Sequence, residues 1–219
     1  CTFYKYHKPH IAALHAYLML MQQSIYLASA SPRRHELLNQ LHINHEVLRV
    51  PAPVGEDEPI LPSETAIAYV QRTALDKLRQ ALHWRQSQPH LHHDWPILCA
   101  DTTVELRGEI LGKPTDLAHA AQLLHALSGT THHVHTASCL SYQGQKYSAL
   151  SSSLIRFKTL SPKEIERYCH SQEPLGKAGA YGIQGLAAAF IEHIEGSYSG
   201  VMGLDLYQTH QLLLDAGLE

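Results

Sequence analysis

Apolar positions in this chain fall into two spacings, and the switches between them mark out its elements. Short unbroken apolar runs at 25–28 and 97–100 read as buried strands. Lines spaced near 3.6 residues read as helices: Leu37, Leu38 and Leu41; then Ile67, Val70, Ala74, Leu78 and Ala81; then Ala120, Leu123, Leu124 and Leu127; and last a closing helix over 204–214. Ser31 followed by Pro32, Ser63, Thr115 and the Ser161-Pro162-Lys163-Glu164 box supply four helix starts. A short strand is predicted over 46–50 and a second segment over 102–106 that alternates. Two longer strands, over 131–141 and 146–157, are joined by the hairpin-like Gln143-Gly144-Gln145. Residues 51–62 and 83–95 read as loops, and 196–200 as a turn. Strands interleaved with helices indicate an α/β fold.

Several polar residues break this pattern where chemistry needs them. Arg33 and Arg34 stand in the first turn of a helix, where each cation is unfavourable by roughly 0.3–1 kcal/mol. They make sense if an anion fills the mouth formed by strand, serine loop and helix N-terminus. A capped surface helix with two solvated arginines is the alternative. Asp101 ends an apolar run, where a carboxylate is costly unless it is hydrogen-bonded, metal-bound or at a cleft edge. Such a group serves as a general base or a metal ligand. Lys77 flanks the apolar line of its helix, facing either an anion or solvent. Four glycines between Glu173 and Gly185 let backbone approach a ligand closely.

The bulk numbers remove other classes. A net charge of −3 gives no broad basic surface for nucleic acid. Cys1, Cys99, Cys139 and Cys169 have no metal or disulfide spacing and read as free thiols of a cytoplasmic protein. No apolar run approaches the ~18 residues of a membrane span. The 18 histidines, His132-His133-x-His135 among them, lack zinc-site spacing and are expected at the surface. Walker A and Gly-x-Ser-x-Gly sequences are absent. Residues 1–20 precede Met21, which looks like a natural start, and are read as an extension without a predicted role.

From about residue 25 onward the chain resembles the Maf family of nucleoside triphosphate pyrophosphatases. Three segments carry the likeness: Leu-Ala-Ser-Ala-Ser-Pro-Arg-Arg-His-Glu-Leu-Leu at 27–38, Ala-Asp-Thr-Thr-Val with Ile-Leu-Gly-Lys-Pro at 100–104 and 110–114, and Lys-Ala-Gly-Ala-Tyr-Gly-Ile-Gln-Gly at 177–185. The resemblance implies one catalytic domain over 21–219, an α/β mixed-sheet fold of two lobes about a central cleft, of inosine-triphosphatase type. It implies hydrolysis of a nucleoside triphosphate to monophosphate and pyrophosphate with Mg²⁺, Mn²⁺ or Co²⁺. Asp101 would accept the proton of water and, with Glu58, hold the metal. Ser29, Arg34, Lys77 and Lys113 would bind the triphosphate. Arg33, Thr102 and Gln184 look like the specificity residues of the branch acting on dTTP and UTP. The expected partner is a nucleotide, with no nucleic acid and no membrane; a homodimer stays open. A nucleotide-binding regulator of septum formation without turnover, or a family enzyme of other base preference, are the alternatives. Thr103, Asp205, Thr73 and Leu78 depart from the common family pattern, which has Leu at the Thr73 position.

Overall fold

The computed structural model describes residues 24–51 and 58–218. The extension over 1–20, Cys1 included, and residues 52–57 of the loop expected over 51–62 lie outside the described residues. Seven strands form one mixed sheet in the order β2-β1-β3-β5-β6-β7, with β4 paired to β3. They are β1 (Ile25–Leu27), β2 (His45–Val47), β3 (Ile97–Leu106), β4 (Glu109–Leu111), β5 (Thr131–Tyr142), β6 (Gln145–Phe157) and β7 (Ile191–Glu195). The helices are α1 (Pro32–Gln40), α2 (Ala66–Gln86), α3 (Leu117–Leu127), α4 (Pro162–His170), α5 (Tyr198–Met202) and α6 (Leu206–Asp215). The β2–β1–β3 pairs are parallel and the others antiparallel.

Alternation along β3 decides what each side chain meets. Ile97 and Cys99 pack with Val70, Ala74, Leu78 and Ala81 of α2 on one face. Leu98 and Ala100 pack on the other with Leu37 and Leu38 of α1 and Leu212 and Leu213 of α6. With both faces covered, the strand reads as a continuous apolar run. By the same period Asp101 falls on the α2 face and Thr102 on the opposite one. Further along, Val104 and Leu106 join a third apolar group with α3, α4, Phe157 and Tyr181.

Most predicted elements stand, with local corrections. The helix at 66–86 is capped by Thr65, whose Oγ1 accepts from the Ala68 amide at 3.2 Å; Ser63 instead takes a left-handed φ of 60°. Its buried line is Ala66, Val70, Thr73, Ala74, Leu78 and Ala81, while Ile67 is exposed. That helix also takes in residues 83–86, expected as loop. Asp116, not Thr115, caps α3, accepting from the His119 amide at 2.7 Å. Ser31 holds the N-cap position of α1 without a side-chain cap. Residues 196–200 are the entry to α5 rather than a plain turn, and β7 was not predicted. His132 and His135 are buried, not superficial. Cys99, Cys139 and Cys169 are free and buried. No helix among the described residues is long and apolar enough to cross a membrane.

Candidate active site

A cleft of about 990 Å³ opens beside the middle of β3. The β1–α1 loop, the N-terminus of α1, one side of α2, the loop after β4 and residues 176–178 all reach it. Asp101 lies in it, 6% exposed. Two residues one turn apart on α2 engage its two oxygens separately. Lys77 Nζ donates to Oδ1 at 2.5 Å, and the Thr73 hydroxyl lies 2.6 Å from Oδ2. Lys77 also contacts a Glu58 carboxylate oxygen, so the ammonium stands between two carboxylates. The lysine thus does not run free to solvent; its charge is matched by two carboxylates within the site.

On the opposite face of β3 a second network has a fixed sense. The Gly200 carbonyl can only accept, so Thr136, 2.7 Å away, donates to it. Thr136 then accepts from Thr102, its direct cross-strand partner, at 2.9 Å. Thr102 in turn accepts from Arg34 Nη2 at 3.2 Å. With its proton committed, Thr102 has only acceptor capacity left for a ligand. Ser29 is the reverse case. Its Oγ accepts from the Ser31 amide and from Arg34 Nη1, both at 3.2 Å, which leaves its O–H as a donor for a phosphate oxygen.

The paired arginines have partners that sequence could not reveal. Arg33 Nε donates to the Met202 carbonyl at 3.2 Å, and Arg34 Nε to the Gly203 carbonyl at 2.7 Å. Those carbonyls close α5, a helix end carrying partial negative charge. Arg34 is thereby a strut joining the serine loop, β3 and α5. Burial pushes its guanidinium down from its ordinary range, and the Asp101 carboxylate pushes it back. Among the described residues the terminal nitrogens of Arg33, which also lines the cleft, have no partner.

Lys113 is exposed on the cleft wall, on the loop after β4. That loop is tied to the glycine-rich segment by the Gly179 amide donating to the Gly112 carbonyl at 3.1 Å. Gly179 has φ +64° and packs so closely on Val104 that a Cβ would come within 2.9 Å of Cγ2. This close approach brings Lys177 to the cleft. Burial and then Arg33 lower the Lys177 ammonium from its ordinary value, and it donates to the Glu173 carbonyl. Lys177 was not singled out from sequence, although it opens the third motif. Ser29, Arg33, Arg34, Glu58, Lys77, Asp101, Thr102 and Lys113 all line one cleft. Gln184 does not; it is exposed on the same segment, near Gly182.

Cys99 sits two residues from Asp101, but burial pushes its thiol up to about 12 and makes it a poor nucleophile. The cleft therefore pairs two carboxylates held by Lys77 with several cations and an O–H donor, a set suited to binding phosphates beside a proton acceptor.

A family profile described as Maf-like protein matches residues 24–216. Among curated relatives, a Bordetella pertussis protein named dTTP/UTP pyrophosphatase is 56% identical over 194 residues, covering 89% of this chain and 93% of the relative. Proteins of the same name from Cupriavidus metallidurans and Nitrosomonas europaea are 51% and 48% identical, over 90% and 89% of this chain and 99% and 95% of theirs. A solved nucleoside-triphosphatase / dITP/XTP pyrophosphatase from Mycobacterium abscessus aligns at 17% identity with a TM-score of 0.40, over 68% of this chain and 95% of that one. That likeness is too loose to add to the fold.

Proposed function

The chain belongs to the Maf-like protein family, and from that premise we propose that it hydrolyses dTTP and UTP to nucleoside monophosphate and pyrophosphate. The carrying observation is Asp101, held by Lys77 in the cleft that Arg33, Arg34 and Lys113 also line. Asp101 takes the proton of a water whose oxygen bonds to the α-phosphorus. The bridging oxygen between the α- and β-phosphates keeps the electrons of the broken bond and leaves with pyrophosphate. Ser29, Arg34, Lys77 and Lys113 bind the phosphate oxygens, with Arg34 also bracing the loop that carries Ser29. Thr102, left with an acceptor, suits the N3–H of uracil or thymine, where cytosine presents an acceptor instead. Arg33 and Gln184 complete the base pocket in this reading.

The donor set suits a divalent cation. Glu58 and Asp101 converge on a point that an ammonium already occupies, and two carboxylates with phosphate and water are a common Mg²⁺ or Mn²⁺ environment. No group of three or more His, Cys, Asp or Glu able to hold a metal occurs among the described residues, so substrate oxygens would complete the shell. Glu58 and Asp101 would hold the ion, which would supply charge neutralisation at the phosphates.

The test is product analysis of the purified chain with dTTP, UTP, CTP and GTP, with Mg²⁺ or Mn²⁺ supplied. The expected result is monophosphate and pyrophosphate in equal amounts, fastest from dTTP and UTP. Nucleotide binding without pyrophosphate release would instead support a regulator, and release of orthophosphate alone would place the cut at the wrong bond.

A further inference from the structure

Thr73 is an unexpected side chain to find where it lies. It is 2% exposed on the apolar line of α2, among Val70, Ala74 and Leu78. Its hydroxyl is within 2.6 Å of Asp101 Oδ2, 2.9 Å of the Tyr69 carbonyl and 3.1 Å of the Val70 carbonyl. A hydroxyl has one proton to give. The carboxylate is the nearest of the three acceptors and the only charged one, so it receives the proton. The two carbonyls sit three and four residues back, where the helix ladder itself supplies donors.

We infer that Thr73 is a positioning residue that fixes the plane of the Asp101 carboxylate toward the attacking water. The inference rests on the reading of Asp101 as proton acceptor. Held by Lys77 alone, the carboxylate can pivot about Oδ1, because a lysine ammonium is a rotatable point charge. Thr73 and Lys77 are four residues apart and so lie on one helix face. Both oxygens are then clamped by a single rigid element, and one lone pair of each stays directed elsewhere. Proton transfer depends on that direction; binding of the triphosphate by the other cations does not. Thr73 therefore acts on turnover and leaves substrate affinity alone.

Thr73→Val keeps the shape and removes the hydroxyl, and Thr73→Ser keeps the hydroxyl. With UTP and dTTP, Thr73→Val is expected to lower kcat about tenfold, in the range typical of lost orienting partners, with KM changed less than about twofold. Thr73→Ser is expected to stay within about threefold of wild type, as the same orienting bond remains. An unchanged kcat in Thr73→Val, an equal change in KM, or a serine variant as slow as valine would each overturn the inference. Absence of turnover in the wild type would sink the functional reading instead. Thr73 is then judged by a crystal structure of Thr73→Val: a carboxylate rotated about Oδ1 supports the clamp, and one that has not moved overturns it.

Discussion

Asp101 and His132 are both titratable side chains buried in the same sheet, at 6% and 1% exposure, yet their surroundings do opposite things. Asp101 faces the cleft with each oxygen engaged, one by an ammonium and one by a hydroxyl. Charge there is matched and can be used. His132, on β5, packs edge-on against the rings of Phe157 and Tyr181. Its Nε2 shares a hydrogen bond with the Tyr181 hydroxyl at 2.8 Å, and its Nδ1 has no partner among the described residues. Burial, and secondarily His133, push its imidazolium down to about 4. So a charge is stabilised at one place and expelled at the other, and the difference lies in how many partners each atom has, not in depth.

The largest effect that bears on this contrast comes from Asp101→Asn. The amide keeps size but cannot take a proton from water, so kcat is expected to fall by ~10²–10⁴-fold with nucleotide binding retained. Retention of more than about a tenth of the rate would place the proton acceptor elsewhere, with Glu58 the next carboxylate in the cleft.

The histidine predicts an acid weakness at the other place. In the unfolded chain its imidazole takes a proton near 6.5, and in the folded chain only near 4. Between those values the unfolded state binds more protons, so stability is complete above 6.5 and is lost as pH falls toward 4. The loss assigned to His132 between about pH 7.5 and about pH 5 is on the order of 2 kcal/mol. Urea unfolding of wild type and His132→Leu at both pH values measures it, as the leucine variant should lack that share of the drop. Equal acid losses in the two proteins would show that the imidazole is accommodated after all.

Much of the fold was legible because its signals are local. The β5–β6 hairpin turns on Gln143 and Gly144, at φ 47° and 78°, as its dipeptide suggested, and the Ser161–Glu164 capping box forms as read. The apolar run at 97–100 is a strand buried on both faces. Caps slipped by a residue or two, from Ser63 to Thr65 and from Thr115 to Asp116, because neighbouring oxygens compete for the same amides. The edge strand at 191–195 was missed because its partly exposed, short Ile-Glu-His-Ile-Glu pattern resembles a loop. The site was legible in its residue types but not in their pairings. Arg33 and Arg34 find their carbonyls 169 residues further along the chain. Thr73 was noted only as a departure from a pattern, and no periodicity reveals a hydroxyl aimed across to another element.

Gln184 tests where the functional region ends. Exposed and outside the cleft lining in the free chain, it must come to the base with substrate if it reads the pyrimidine edge. Gln184→Ala should then cost roughly 1–3 kcal/mol in kcat/KM for dTTP and UTP, the penalty for a lost buried hydrogen bond, and far less for GTP. Equal loss on every nucleotide would confine the residue to supporting its loop.

The finest probe is Tyr181, because it belongs to both places. Its ring packs edge-on against His132 and Phe157, with centroids 5.5 and 4.9 Å apart, while the residue also borders the cleft. Burial pushes its phenol well above the ordinary value, so it stays neutral and offers a hydroxyl, not a charge. Tyr181→Phe leaves the ring and removes the Nε2 partner of His132. The expected loss is about 1 kcal/mol, which for a chain of this length moves Tm by about 2–4 °C. The acid weakness, set by burial, should remain, while kcat and KM stay at wild-type values. A fall in kcat without a fall in Tm would instead show the hydroxyl serving the cleft. The boundary between the anchored carboxylate and the expelled imidazolium would then run behind Tyr181, inside the apolar group, and not along the cleft wall.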